Sequence, residues 1–118
     1  MISEPKKKDL TVPQGATYPV RLRYLDSLGN PVDVASATVR AQLSNQFYEG
    51  APDLTLTTEN GKAFVEAEGW FGFTLLPADT EALEATVYYY DLVLTTSDGD
   101  VTRALEGQIT ITPGVPHD

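Results

Sequence analysis

The last third of the chain contains the pattern that most constrains its fold, because two long stretches of alternating residues flank a tight turn. Residues 86–96 and 101–112 alternate apolar with polar side chains, which is the period of a β-strand with one buried face. Between them, Ser97-Asp98-Gly99-Asp100 has the composition of a hairpin turn. The pattern predicts a hairpin that buries six side chains: Tyr90, Leu92, Leu94, Leu105, Ile109 and Ile111.

The rest of the chain consists of shorter alternating stretches separated by turns. Further strands are predicted over residues 9–12, 16–24, 37–43, 54–57 and 63–75, the last one interrupted at Gly69. Pro19 predicts an edge strand or a bulge, since proline cannot donate to a β-ladder. Asn60-Gly61 predicts a hairpin turn. Residues 77–83 are the one helical candidate, with room for one or two turns.

These elements predict an all-β chain of about seven short strands, folded as an immunoglobulin-like antiparallel β-sandwich. A Greek-key barrel is the alternative architecture. The 118 residues suit one domain. Residues 1–8 are predicted to be a flexible N-terminal arm, residues 9–113 the sandwich, and residues 114–118 a C-terminal tail.

Composition excludes several classes of function. The chain has no cysteine, so disulfides and thiolate chemistry are excluded. Its formal net charge is −9, and the chain beyond residue 8 carries five basic against sixteen acidic residues. Such a surface repels phosphate backbones, which argues against nucleic-acid binding. Neither a secretory signal nor an apolar run of about 18 residues is present, so the protein is expected in the cytoplasm or within an assembly.

The sequence gives little support for catalysis. His117 is the only histidine, and it lies in the predicted tail. Glu66 and Glu68 are expected on the solvent face of a strand, and a glycosidase pair must instead converge in a cleft. Asp98 and Asp100 fit a tight turn better than a calcium loop. The chain is therefore predicted to be no enzyme and to hold neither a metal nor another cofactor.

Aromatic and lysine side chains are the candidates for an interface. Trp70 points outward if the alternation continues through Gly69, and it is buried if a bulge intervenes. Phe47 and Tyr48 either plug the core or form a binding patch. Tyr89 is the outward tyrosine of its strand. The last candidates form the basic arm, which is suited to clamping a neighbouring subunit: Lys6, Lys7 and Lys8.

Six segments together resemble a known family. They are Asp9-Leu-Thr-Val-Pro-Gln-Gly15, Asp26-Ser-Leu-Gly-Asn-Pro-Val-Asp33, Ala37-Thr-Val-Arg-Ala-Gln42, Leu76-Pro-Ala-Asp-Thr-Glu-Ala-Leu83, Tyr89-Tyr-Asp-Leu-Val-Leu94 and Asp98-Gly-Asp-Val-Thr-Arg-Ala-Leu-Glu-Gly-Gln-Ile-Thr-Ile111. In order and spacing they resemble the immunoglobulin-like N-terminal domain of the phage baseplate upper protein and its stand-alone phage relatives. The resemblance covers most of residues 9–112, and its motifs are strand-and-turn patterns without catalytic signatures.

The resemblance implies a non-enzymatic structural component of a tailed-bacteriophage virion. Such a protein would be assembled in the host cytoplasm and would dock onto other virion proteins, in repeated copies or as a homo-oligomer. Its place would be the tail, the baseplate or the decorated surface of the head. The alternative function is a carbohydrate-binding module on the same sandwich, which would use the aromatic side chains of Trp70, Tyr48 or Tyr89 as a platform.

Overall fold

The computed structural model describes residues 6–45 and 53–114, and within them the chain forms two β-sheets. Phe47, Tyr48 and His117 lie outside the described residues, as do residues 1–5 and 115–118. The elements follow in chain order: β1 (Lys6–Lys7), β2 (Leu10–Pro13), β3 (Tyr18–Arg23), β4 (Thr38–Ser44), β5 (Leu54–Thr57), β6 (Ala63–Val65), a 3-10 turn (Ala67–Gly69), β7 (Trp70–Leu75), α1 (Pro77–Ala82), β8 (Val87–Thr95) and β9 (Val101–Thr112). The predicted all-β class is confirmed.

The strand order is that of an immunoglobulin-like sandwich. The larger sheet has the order β1-β9-β8-β4-β5, with β2 also paired to β9, and the smaller sheet has the order β3-β7-β6. The alternative architecture, a Greek-key barrel, is wrong, because the described strands form two separate sheets. Tyr88 supplies a further hallmark, because its hydroxyl donates to the Glu84 carbonyl oxygen at 2.9 Å. A tyrosine that bonds back to the backbone at the start of this strand is the tyrosine corner of immunoglobulin-like domains.

The core lies between the two sheets. All six side chains predicted to be buried by the β8–β9 hairpin are buried. The smaller sheet contributes Phe71 and Phe73, both fully buried. The rings of Phe73 and Tyr90 meet edge to face across the sandwich, with centroids 6.4 Å apart. Their contact joins the two sheets.

Two local predictions were wrong, both around β6. Residues 63–75 were predicted to form one interrupted strand, but β6 and β7 are antiparallel neighbours that reverse direction at residues 66–69. Glu68 and Gly69 both have positive φ, 62° and 84°, which turns the chain back. The turn at Asn60-Gly61 does not close a hairpin either, since it leads from β5 in the larger sheet to β6 in the smaller one.

Pro19 and residues 77–83 behave as predicted. Pro19 lies on β3, which is an edge strand of the smaller sheet, so its missing N–H disrupts no ladder. The predicted connector is the six-residue α1. No helix in the described part of the chain has the length and hydropathy of a membrane span.

The first described residues are paired with β9 rather than extended into solvent. Lys6 and Lys7 form β1, parallel to β9, and the Lys8 amide donates to the Glu106 carbonyl oxygen at 2.9 Å. A Cβ atom at Gly107 would lie 2.3 Å from the Lys8 carbonyl oxygen. Because that separation is too short for any side chain, Gly107 allows this part of the predicted arm to dock.

Tyr90 ties the same segment to the core and makes stability depend on pH. Its hydroxyl donates to the Lys8 carbonyl oxygen at 2.6 Å. Burial, helped by the negative charge of Asp9, raises the pKa of Tyr90 to about 12 from 10.0. The folded protein therefore holds the phenolic proton more tightly than the unfolded chain does. The stabilisation is complete below about pH 10 and is lost as the pH rises through about 12.

We expect Tyr90→Phe to lower the free energy of unfolding by about 1 kcal/mol at pH 8, the usual net value of one hydrogen bond. The difference between wild type and variant should shrink between pH 10 and pH 12, because only the wild type loses stability through this group. Urea denaturation of both proteins across that range measures the effect. A difference that stays constant to pH 12 would contradict the assignment.

Candidate functional site

The predicted interface residues lie on different surfaces of the sandwich. Trp70 is the first residue of β7 and points away from the core, on the solvent side of the smaller sheet. Tyr89 lies on the solvent side of the larger sheet, in register with Ser44 and Gln108. Lys6, Lys7 and Lys8 are exposed along the β9 edge. The open question about Trp70 is thereby answered, since its side chain is outward and half-buried.

The solvent side of the smaller sheet is an ordered array. Pairing of β3 with β7 and of β6 with β7 sets its register, and the Glu66 amide extends that register by donating to the Trp70 carbonyl oxygen at 2.7 Å. Three rows cross the sheet from β3 over β7 to β6: Arg23, Trp70 and Glu66; Arg21, Gly72 and Phe64; Pro19, Thr74 and Lys62. The first two rows are called the arginine–tryptophan face.

Two arginines lie over the indole ring at the centre of this face. The Arg21 guanidinium carbon is 4.1 Å from the Trp70 ring centroid, and that of Arg23 is 5.3 Å from it. Both distances are within the range of cation–π attraction. Arg21 and Arg23 lie two residues apart on β3, so both point to the same side of the sheet. Both cations over the Trp70 ring therefore come from β3.

Two glutamates hold the arginines in place. Arg21 donates to Glu66 Oε1 from Nε at 3.1 Å and from Nη2 at 2.8 Å. Arg23 donates from Nε to the Glu68 carbonyl oxygen at 2.9 Å and from Nη2 to Glu68 Oε2 at 3.2 Å. The Arg21–Glu66 pair reaches from β3 to the end of β6, about 10 Å or two strand spacings. It passes over β7, where Gly72 presents no side chain.

Close packing of β3 against β7 brings the arginines within reach of the indole ring. A Cβ atom at Gly72 would lie 1.9 Å from the Val20 carbonyl oxygen and 3.1 Å from Arg21 Cα. Only glycine therefore fits at this position. Because Gly72 has no side chain, nothing projects from β7 at the centre of the arginine–tryptophan face. The Arg21 side chain therefore has room to cross β7.

The predicted carbohydrate platform is not formed by the described aromatic residues. Trp70 and Tyr89 point away from opposite sheets of the sandwich, so they cannot stack on one sugar chain. Tyr48, the third predicted member, lies outside the described residues. The upper side of the Trp70 ring is occupied by arginine. A carbohydrate platform needs coplanar aromatic rings with an open face, and Trp70 and Tyr89 do not provide them.

Three of the acidic residues weighed for catalysis or metal binding, Glu66, Glu68 and Asp98, form ion pairs or a turn contact. Glu66 and Glu68 were expected on the solvent face of one strand; both are exposed and pair with Arg21 and Arg23, but Glu68 lies in the 3-10 turn instead of on a strand. Asp98 accepts a hydrogen bond from the Thr96 hydroxyl, and that bond lowers the pKa of Asp98. Across residues 6–45 and 53–114, no group of three or more His, Cys, Asp and Glu residues is arranged to hold a metal ion.

Sequence reasoning missed five members of the face as interface residues: Arg21, Arg23, Phe64, Glu66 and Gly72. The alternation of β3 places both arginines on its outward side, and that signal is visible in the sequence. What the sequence does not show is that β3 lies beside β7. Without that pairing, neither arginine can be connected with Trp70.

Replacing Arg21 tests whether the stack is as described. We expect Arg21→Ala to change the free energy of unfolding by no more than about 1 kcal/mol, because exposed ion pairs contribute little. The fluorescence of Trp70, the only tryptophan in the chain, should shift to longer wavelength as its ring gains water. Arg103→Ala, which removes the Asp91 partner on the other sheet, is the matched control and should leave the emission unchanged. Equal emission spectra for wild type and Arg21→Ala would contradict the stack.

Fold and surface together define an immunoglobulin-like β-sandwich with one arginine-capped tryptophan on its smaller sheet. No family model matches the chain, and no curated protein matches it. Among solved structures, the chain is similar to CopC from Methylosinus trichosporium OB3b at 18% identity, over 93% of this chain and 89% of that chain, with a TM-score of 0.49. At that level the match carries no argument about function.

The predicted function as a tailed-phage structural component of tail, baseplate or head is contradicted and is not proposed again: the reported match is to a CopC, and nothing in the comparisons points to a virion protein. The resemblance to the baseplate upper protein domain, the virion location and the virion partners are not tested by the match and stay predictions.

Proposed function

We propose that the chain is a non-catalytic protein-binding module whose recognition surface is the arginine–tryptophan face. One observation carries the proposal. Trp70 lies on the solvent side of a β-sheet with a guanidinium 4.1 Å above its ring. A second guanidinium, that of Arg23, lies 5.3 Å from the same ring. Tryptophan and arginine are among the residues most enriched at the energetic centres of protein interfaces.

The face is ordered before any partner arrives. Arg21 and Arg23 are each fixed by two hydrogen bonds and by the indole ring. Immobilising a long side chain on binding costs about 0.5–1.5 kcal/mol, and side chains that are already fixed avoid much of that cost. Both guanidinium groups keep donors for a partner, because each has five N–H groups.

Folding stability alone gives little reason for this arrangement. The Arg21 and Glu66 side chains are 53% and 49% exposed, and ion pairs of that exposure contribute about 0–1 kcal/mol. Phe64 and Trp70 lie outside the core cluster between the sheets. The two aromatic rings and two arginines thus add little to the core, while they supply the contacts a partner would use.

The chemistry of the face suits binding better than catalysis. Its carboxylate, Glu66, and the neighbouring Glu68 of the 3-10 turn are both paired with arginine, and the Glu68 side chain is 73% exposed. A general acid needs a desolvated environment, and a nucleophile needs an adjacent base. Neither environment is present around these two groups.

Site-specific photo-crosslinking in the cells that make the protein tests the proposal. A benzophenone amino acid placed at Thr74, beside the arginine–tryptophan face, should give a defined protein adduct. The same group at Gln108, on the opposite sheet, is the matched control and should not give that adduct. Adding Trp70→Ala to the Thr74 probe should abolish the product. No adduct from Thr74, or the same adduct from both positions, would contradict the proposal.

A further inference from the structure

We propose that Asn60 is a site of spontaneous deamidation, and that the folded turn between β5 and β6 holds this reaction back until the turn opens. Asparagine is among the chemically labile residues, and here it is followed by Gly61. With no side chain, glycine leaves its amide nitrogen unhindered as a nucleophile. Both residues are exposed, so water can enter and ammonia can leave. This inference does not depend on the arginine–tryptophan face.

The reaction needs only the chain and water. The Gly61 amide nitrogen loses its proton to solvent and attacks Asn60 Cγ, which forms a new C–N bond. The Cγ–Nδ2 bond breaks, and Nδ2 takes a proton from water and leaves as ammonia, so that a five-membered succinimide ring is closed. Water then adds to one of the two ring carbonyl groups and breaks its bond to the ring nitrogen. The product is aspartate or isoaspartate at position 60, and no atom is oxidised or reduced.

The folded turn binds both ends of the Asn60 carboxamide. Its Oδ1 accepts from the Thr57 amide at 2.9 Å and from the Lys62 amide at 3.1 Å. Its Nδ2 donates to the Thr55 carbonyl oxygen at 3.0 Å. Ring closure makes Cγ tetrahedral and removes Nδ2, so the reaction has to break these hydrogen bonds.

The backbone around the reacting atoms is bound as well. The Asn60 amide donates to the Thr57 hydroxyl oxygen at 3.0 Å, which makes the two residues a reciprocal pair of the kind found in a capping box. The Gly61 amide donates to the Thr58 carbonyl oxygen at 3.4 Å, and its hydrogen is the one that the reaction removes. Folding therefore stabilises the unreacted form at both the nucleophile and the carbon that it attacks.

The product cannot restore the turn. In aspartate a carboxylate oxygen takes the place of Nδ2, so two acceptors would face each other where Asn60 now donates to Thr55. Isoaspartate also lengthens the main chain by one atom, which displaces Lys62 relative to β5. Lys62 leads directly into β6 and pairs with Asp79 at 2.6 Å. Deamidation therefore loosens the passage from the larger sheet to the smaller one, and it marks irreversibly those molecules in which this turn has opened.

Peptide mapping by mass spectrometry tests the inference on the full chain aged in mildly alkaline buffer, with and without denaturing guanidinium chloride. Deamidation at Asn60 should be at least about tenfold faster in the denatured chain, because opening the turn costs the net strength of several hydrogen bonds. Asn30 is the internal reference, since the next residue is Pro31, which has no N–H to supply the nucleophile, and it should stay unmodified in both samples. Equal rates at Asn60 with and without denaturant, or no deamidation at Asn60 in the denatured chain, would overturn the proposal.

Thr57→Val tests the protection within the folded protein. It removes the hydroxyl that accepts from the Asn60 amide and should speed deamidation about threefold or more without denaturant, the effect of losing one hydrogen bond. In guanidinium chloride its rate should equal that of the wild type. Thr55→Val is the matched control, because Thr55 binds Asn60 through its backbone carbonyl oxygen, and it should age like the wild type. Circular dichroism checks that both variants are folded, and a folded Thr57→Val protein that ages at the wild-type rate would contradict protection by the turn.

Discussion

Replacing Gly72 with alanine should lower the free energy of unfolding by about 3 kcal/mol or more, at the upper end of what overpacking costs. The added Cβ atom would lie 1.9 Å from the Val20 carbonyl oxygen and 2.9 Å from its carbonyl carbon. These are backbone atoms, so no side chain can rotate away to relieve the clash. The β3 strand must move away from β7, which also removes Arg21 and Arg23 from the Trp70 ring. Urea denaturation and Trp70 emission report the two consequences separately.

Gly99→Ala is the control for Gly72→Ala. Gly99 lies in the β8–β9 turn at a φ of +95°, and a Cβ atom there would meet nothing within 4 Å. Its cost should be about 1 kcal/mol, which is the cost of the left-handed conformation alone. A Gly72→Ala protein as stable as Gly99→Ala would show that β3 does not approach β7 as closely as described.

Replacing Phe73 with alanine should cost about 3–5 kcal/mol, the range for removing a fully buried phenylalanine. Its ring is completely buried between the sheets and contacts Tyr90 edge to face. Phe64→Ala is the matched control, because Phe64 lies on the paired strand and points to the solvent side. In dilute protein, that change should cost less than about 1 kcal/mol. Urea denaturation of both variants measures the difference, and similar losses would contradict the assignment of the two faces.

The β8–β9 hairpin was predictable because its information is local. The two strands are long and adjacent in the sequence, and they alternate with a period of two apart from a register shift between Leu92 and Val93. Tyr90, Leu92, Ile109 and the rest of the predicted set are buried as expected. Pro19 on an edge strand was predictable for a similar reason, since the missing N–H restricts where proline can lie in any sheet.

The reversal between β6 and β7 could not be read from periodicity. Ala63 and Val65 point inward, and so do Phe71 and Phe73, whether the chain continues or turns back at residues 66–69. The number of residues in the turn preserves the alternation, so both structures give the same pattern. The distinction depends on the positive φ of Glu68, and glutamate has no strong preference for that conformation.

The candidate site could not be predicted from the sequence, because it depends on pairing between strands that are far apart in the chain. Arg21, Arg23 and Trp70 come together because β3 pairs with β7, and those strands are separated by β4, β5 and β6 in the chain. The sequence indicated that Trp70 could point outward, and it showed both arginines on one side of β3. It did not show which strand lies beside which, so the ring and the cations could not be connected.

The most direct test of the recognition surface is hydroxyl-radical footprinting of the aromatic side chains, inside the producing cells and in dilute purified protein. Trp70 and Phe64 lie on the arginine–tryptophan face, and Tyr89 on the opposite sheet is the internal reference. We predict that Trp70 and Phe64 are oxidised several-fold more slowly in cells than in dilute protein, while Tyr89 changes little. Equal oxidation of Trp70 in both settings, or protection of Tyr89 alone, would contradict binding through this face.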